Sequence, residues 1–268
     1  MKSPHSRRPV FTMQLYRFPS LSSTFGAVLG WLAIGLFAPQ LRAEVFLFEG
    51  GEGSNVFDFQ TAAYWSGGEI PPPDSELEIR FKGMLRNSPR WSAASLVVGQ
   101  HSALWLTNSE FDVSGDVELR GGEVTLQSRG VLRVEGALEL SDGGRLISMG
   151  DASELEAGEV HVGTGCAMSY WYFKEAELQN AMEKSAVTIA GTLRFEAGTR
   201  ITIVIQPVFG GWMPAGEYLL ATAGTIEGSL PELECMEPGE GGNADLRPVA
   251  IDGLKLENRD GQLILVME

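Results

Sequence analysis

Ser114-Gly115-Asp116-Val117-Glu118-Leu119 aligns with Glu135-Gly136-Ala137-Leu138-Glu139-Leu140, with Ala157-Gly158-Glu159-Val160-His161-Val162 and with Ala190-Gly191-Thr192-Leu193-Arg194-Phe195. The glycines step by 21, 22 and 33 residues, and Ala94-Ser95-Leu96-Val97-Val98 is an earlier copy 21 residues upstream of the first. Inside each copy apolar and polar residues alternate, which is the period of a half-buried strand. Arg120-Gly121-Gly122-Glu123 and Ser141-Asp142-Gly143-Gly144-Arg145 close two of these bursts with turn residues that tolerate positive φ.

A repeat of about 21 residues, holding several short strands, buries its apolar side chains only by stacking on its neighbours. The expected fold is therefore all-β, a parallel β-solenoid over residues 92–206. Val117, Leu138, Val160 and Leu193 would form one inward column, with Glu118, Glu139, His161 and Arg194 pointing outward. An antiparallel β-sandwich or jelly roll with evenly spaced strands is the alternative, because short alternating strands look alike in both. A shared phase, small-x-apolar-x-apolar, favours the solenoid.

The step of 33 holds about a dozen surplus residues, and they fall where Tyr170-Trp171-Tyr172-Phe173 breaks the alternation. This predicts a loop or short helix inserted at residues 166–184. Tyr170, Trp171, Tyr172 and Phe173 are the candidate binding residues, since a rigid scaffold displays insertions from its side. The competing role for these rings is to cover an exposed sheet edge. Trp91, Trp105 and Trp212 are further large aromatics outside obvious strand cores, and alternation leaves the side of Trp105 undecided. Residues 44–91, with Pro71-Pro72-Pro73, and 207–268, with its apolar Leu263-Ile264-Leu265-Val266-Met267, are expected to cap the two ends.

Residues 1–43 form an export signal on this reading. Lys2, Arg7, Arg8 and Arg17 precede a 14-residue apolar run from Phe25 to Ala38, and Ala43 offers a cleavage point. The run is shorter than the ~20 residues of a spanning helix, so no membrane span is expected after signal removal. The rest of the chain carries 35 acidic against 15 basic side chains, which repels nucleic acid and anionic lipid.

Export places Cys166 and Cys235 in an oxidising setting. They are a possible disulfide, one that would stabilise the fold by about 4 kcal/mol from chain entropy, or else two buried thiols. No metal site and no cofactor is expected: His101 and His161 lie at no ligand spacing, and no calcium-loop motif occurs. Asp116, Asp142 and Asp151 are the acids a carbohydrate-cleaving enzyme would draw on, yet Asp142 has the context of a turn residue. No nucleophile elbow, phosphate loop or metal cluster accompanies them, so the chain reads as non-enzymatic.

Phe48-Glu49-Gly50-Gly51, Phe57, Tyr64-Trp65-Ser66-Gly67-Gly68, Pro71 to Asp74 and Ile79-Arg80-Phe81 together resemble the opening segment of bacterial autotransporter-associated β-strand repeat proteins. Phe48 stands where that family has Trp, and Tyr64 where it has Asn. Ala215 to Gly228 and Gly261-Gln262-Leu263-Ile264-Leu265 resemble its closing segment. The resemblance implies a secreted or surface β-helix with a structural or adhesive role; export alone also allows the periplasm, and the large aromatics, whose flat rings stack on sugar faces or anchor a protein, point to a polysaccharide or surface protein as partner. The alternative is a carbohydrate-binding or carbohydrate-cleaving β-helix. The family's outer-membrane barrel has no counterpart in this sequence, so self-anchoring is not expected.

Overall fold

A computed structural model describes residues 44–50, 57–87, 90–150, 152–205, 213–239 and 242–268. The expected export signal at 1–43 lies outside them. The described chain is mostly β, in two sheets of twelve and nine strands with one α-helix. Successive strands alternate between the sheets for most of the chain. Thus Glu123–Gln127, Arg145–Met149, Ala167–Tyr172 and Arg200–Ile205 are consecutive neighbours in the second sheet, while the segments between them build the first.

Pairing is parallel from Val45 through Met236 within these ladders. It reaches past the expected repeat limits on both sides. Glu76–Ile79 pairs in parallel with Ser95–Val98, and Gly216–Gly228 with Val187–Phe195. Antiparallel pairing enters at the C-terminal side: Gln262–Met267 lies against Gly216–Gly228, Leu254–Arg259 against Gln262–Met267, and Gly242–Pro248 against Glu232–Gly239.

Leu96, Val117, Leu138, Val160, Leu193 and Ile226 are successive register partners. The first five are fully buried or nearly so, and Ile226 is half-buried. Their outward neighbours Glu118 and His161 are half-buried, and Glu139 and Arg194 are exposed. The column's last step, from Leu193 to Ile226, is again 33 residues, so the long spacing occurs twice.

The glycine that opens each copy is required by crowding. A Cβ on Gly158 would stand 2.5 Å from the Glu135 carbonyl oxygen of the neighbouring strand. The long strands shift register at this point, between Ala157 and Val160 for example, which bends them. Gly143 has the other reason, a φ of 84° following Asp142 at 54°.

At the N-terminal side the motif residues make an aromatic cover. The Phe48 and Phe59 rings stack at 4.6 Å, Trp65 meets Phe59 edge-on at 4.7 Å, and Trp65 stacks on Trp91 at 6.2 Å. Trp65 Nε1 donates to the Phe59 carbonyl oxygen at 2.8 Å, which satisfies the one polar atom of that buried ring. Trp91 is thus a packing residue, and Trp212 lies outside the described residues.

Candidate functional site

The expected insertion divides into two elements. Ala167–Tyr172 is a strand with all six residues buried, paired on both sides within the second sheet. Tyr170, Trp171 and Tyr172 are therefore not displayed from the side, which corrects the expectation for these three. Tyr170 and Tyr172 join the main apolar cluster, while Trp171 packs with Ile147 and Val204 on the other face of the sheet. Phe173 is half-buried against Trp171, with ring centroids 6.1 Å apart.

The surplus residues form the helix Glu175–Glu183. Its start is fixed by Glu177, whose carboxylate accepts from the backbone N–H groups of Phe173 at 2.5 Å and Lys174 at 3.2 Å. Leu178 and Ala181, three apart on one face, are buried against the sheets. The helix ends where Lys184 N–H meets the Asn180 carbonyl at 2.8 Å, and Ser185 then anchors the chain, its Oγ 2.9 Å from the Leu220 carbonyl oxygen.

Between this helix and the sheets lies a half-open cavity of about 320 Å³. Ser148, Ser153, Tyr170, Tyr172, Ala181 and Leu219 line it. Ser148 Oγ and Ser153 Oγ are 2.8 Å apart and buried. Tyr170 is 3% exposed, and its hydroxyl has no hydrogen-bond partner among the described residues. Burial pushes the phenols of Tyr170 and Tyr172 well above the ordinary tyrosine range, so both stay protonated. At the rim, Lys184 is ion-paired with Glu154, and Glu183 adds negative charge.

The polar cavity has a signature in one column of register partners: Leu106, Leu126, Ser148, Tyr170, Ile203, Cys235. Serine replaces leucine at the third position, and the space it vacates adjoins the large Tyr170. Repeat alignment of the second-sheet strands carries that signal for Ser148, whereas Ser153 lies between strands and Leu219 in the first-sheet strand Gly216–Gly228, where no repeat position marks them.

The other candidates do not converge. Asp116 Oδ1 accepts from Ala137 N–H at 2.9 Å, a link between strands, and Asp142 occupies its left-handed turn position. Asp151 lies outside the described residues. Trp105, between inward Leu104 and Leu106, is on the outward side and half-buried. No group of three or more metal-ligating side chains occurs among the described residues, and no helix there is long and apolar enough to cross a membrane.

Cys166 and Cys235 are both buried free thiols. Cys235 is in register with Ile203 and Tyr170, four residues beyond Cys166 and two strands away. That is roughly 13 Å along and 10 Å across the sheet, against a Cα–Cα limit of about 7 Å for a disulfide. The disulfide reading is corrected to two separate thiols, and burial pushes Cys235 up to about 11.

A second concavity, an open groove, crosses the first sheet along Ser92, Asp112, Arg133, Glu156 and Thr188. Both of its arginines are held by carboxylates: Arg133 lies 2.9 Å from Glu110, 3.6 Å from Asp112 and 3.1 Å from Glu156, and Arg90 pairs with Asp112. No family model matches this chain, and comparisons with curated proteins and with solved structures give no match.

Proposed function

We propose that this chain is an exported parallel β-solenoid of the autotransporter-associated β-strand repeat kind, with a structural or adhesive role at or outside the cell surface and no catalytic activity. The observation that supports it best is the single column from Leu96 to Ile226, six apolar residues in register along a parallel ladder. An antiparallel sandwich has no reason to keep such a column. In a solenoid each coil contributes one member, and the closing antiparallel strands cover the last coil's edges, the service a cap performs against edge-to-edge aggregation. The aromatic cover built by Phe48, Phe59 and Trp65 plays the same part at the other end.

A rigid, acidic rod of this type suits a scaffold or a surface contact better than chemistry, because Asp116 and Asp142 serve backbone and turn. The test is fractionation and surface proteolysis of the native host, with attachment assays on cells lacking the gene. Protein outside the cytoplasm together with weakened attachment or a disturbed surface layer is the expected result. Retention in the cytoplasm, or turnover of a polysaccharide by the purified chain, overturns the proposal.

A further inference from the structure

We propose that the outer edge of the strand Leu254–Arg259 pairs with the same strand of a second copy of this chain, joining the two first sheets across a two-fold axis. That strand ends the first sheet and has one neighbour, Gln262–Met267. Asp260 and Gly261, at φ 49° and 79°, make the two-residue turn between them, so the backbones of Arg259 and Gln262 bond each other across it. At the far end Glu268 N–H donates to the Gly253 carbonyl oxygen at 3.2 Å, which fixes the same phase. Gly253, Lys255, Glu257 and Arg259 therefore turn their backbone groups toward the neighbour. Those of Leu254, Leu256 and Asn258 point the other way, where no other described strand pairs with them.

The opposite end of the sheet does not offer a matching edge. Leu47 N–H donates to Ser66 Oγ at 3.0 Å, Glu49 N–H donates to the Tyr64 carbonyl oxygen at 2.9 Å, and Phe48 bridges Trp65, so the edge of Val45–Phe48 is already engaged. Head-to-tail growth is thereby closed off. Two copies of one strand can instead pair antiparallel about a two-fold axis, each presenting the same surface to the other.

Charge selects the register. Lys255, Glu257 and Arg259 share the outward side, opposite to buried Leu256. Pairing centred on Leu256 sets Lys255 across from the partner's Glu257, and by symmetry Glu257 across from the partner's Lys255. A shift of two residues one way sets Lys255 against the partner's Lys255. The other way it sets Glu257 against the partner's Glu257 and Lys255 against the partner's Arg259, and like charges directly opposite are destabilising. Within one copy Lys255 lies 3.3 Å from Glu257 and 2.5 Å from Glu268, and Glu257 pairs with Arg259. These pairs are solvent-exposed and contribute little, so they leave both side chains able to join a cross-strand pair. Charged edge positions ordinarily keep strands apart; here they reject the adjoining registers and admit one. Such pairing adds about six main-chain hydrogen bonds and uses up this edge of both copies. One strand pair is a small interface, so the dimer is weak, with dissociation in the micromolar range. It forms or fails to form whether or not the protein leaves the cell.

The experiment is sedimentation of the full chain from micromolar to millimolar concentration. A monomer–dimer equilibrium without larger species is expected, weakened by added salt. Lys255→Glu and Glu257→Lys should each weaken dimerisation about tenfold, since each sets like charges opposite one another twice. The double variant, Lys255→Glu with Glu257→Lys, restores opposite charges and should recover it. Melting midpoints near the native value in all three variants are expected, because the substituted side chains are on the outward side. A monomer at millimolar concentration, oligomers that grow beyond two, a dimer indifferent to the single changes, or a double variant no better than the singles would each overturn the proposal. Failure of the export and attachment tests above would leave it standing.

Discussion

Val117 and Leu138 are direct register partners on neighbouring parallel strands, 21 residues apart in sequence and both fully buried. From Val117 to Ile226 every member of their column has the same two kinds of neighbour, an apolar partner on the adjacent strand and an outward polar residue one position along. Leu138→Asp, which buries an unpaired carboxylate, should destabilise by roughly several kcal/mol. Glu139→Ser, one residue away and exposed, should stay within about 0.5 kcal/mol. Urea midpoints decide it: overlapping values for the two variants would mean the register is wrong.

The two kinds of glycine should respond differently to asparagine. Gly143 has open space around it and only its positive φ to protect, so Gly143→Asn should be mild, because asparagine tolerates that conformation. Gly158→Asn and Gly158→Ala should both be clearly destabilising, because any Cβ there meets the Glu135 carbonyl. Thermal melts of the three variants are the check, and a Gly158→Ala variant as stable as the native chain would contradict the close approach.

Both thiols should be present and silent in the native protein. Cys166 and Cys235 are buried, and burial raises both above the ordinary thiol value, so little reactive thiolate forms near neutral pH. Mass spectrometry without reductant should find two free thiols, and a disulfide-exchange reagent should react with them only on unfolding. An intramolecular disulfide in material from the native host would refute the register that separates them.

Acid should weaken the fold through Glu196 among other groups. The Thr164 N–H and hydroxyl, each 3.0 Å from its carboxylate, hold it below the usual carboxylate range, with His161 adding a smaller pull. A depressed folded-state value gives stability that is present above the unfolded value of about 4.3 and is lost as pH falls through the folded one. Glu196→Gln should flatten that acid limb by lowering stability near pH 7 while leaving it little changed at the acid end. An acid limb as steep as the native one would remove Glu196 from the account.

Legibility in the sequence followed burial. First-sheet copies such as Val117-Glu118-Leu119 and Leu138-Glu139-Leu140 show clean alternation because one face is core and the other is wet. Ala167–Tyr172 is buried on both faces, Tyr170 inward and Trp171 in the outer cluster with Ile147 and Val204. Alternation disappears from such a strand, so its aromatics read as an interruption. The helix that follows was legible only as surplus length. The parallel pairing of Glu76–Ile79 stayed hidden because its partner Ser95–Val98 follows after 19 residues and its predecessor Val45–Phe48 precedes it by 31, with no shared step.

The central claim is the order of strands along the ladder, and a distance between two spin labels tests it most directly. Val97, Glu118, Glu139, His161, Arg194 and Glu227 are successive outward partners. Labels on cysteines introduced at Val97 and Glu227 therefore sit five parallel strands apart, about 24 Å at ~4.8 Å per strand. Pulsed electron resonance should give one distance distribution centred near that value, broadened by the label linkers, with Glu118 and Glu227 about one strand spacing closer. A distribution that stays the same when Val97 is exchanged for Glu118, or that centres well outside the reach of the linkers, would contradict the parallel in-register ladder and with it the solenoid proposed above.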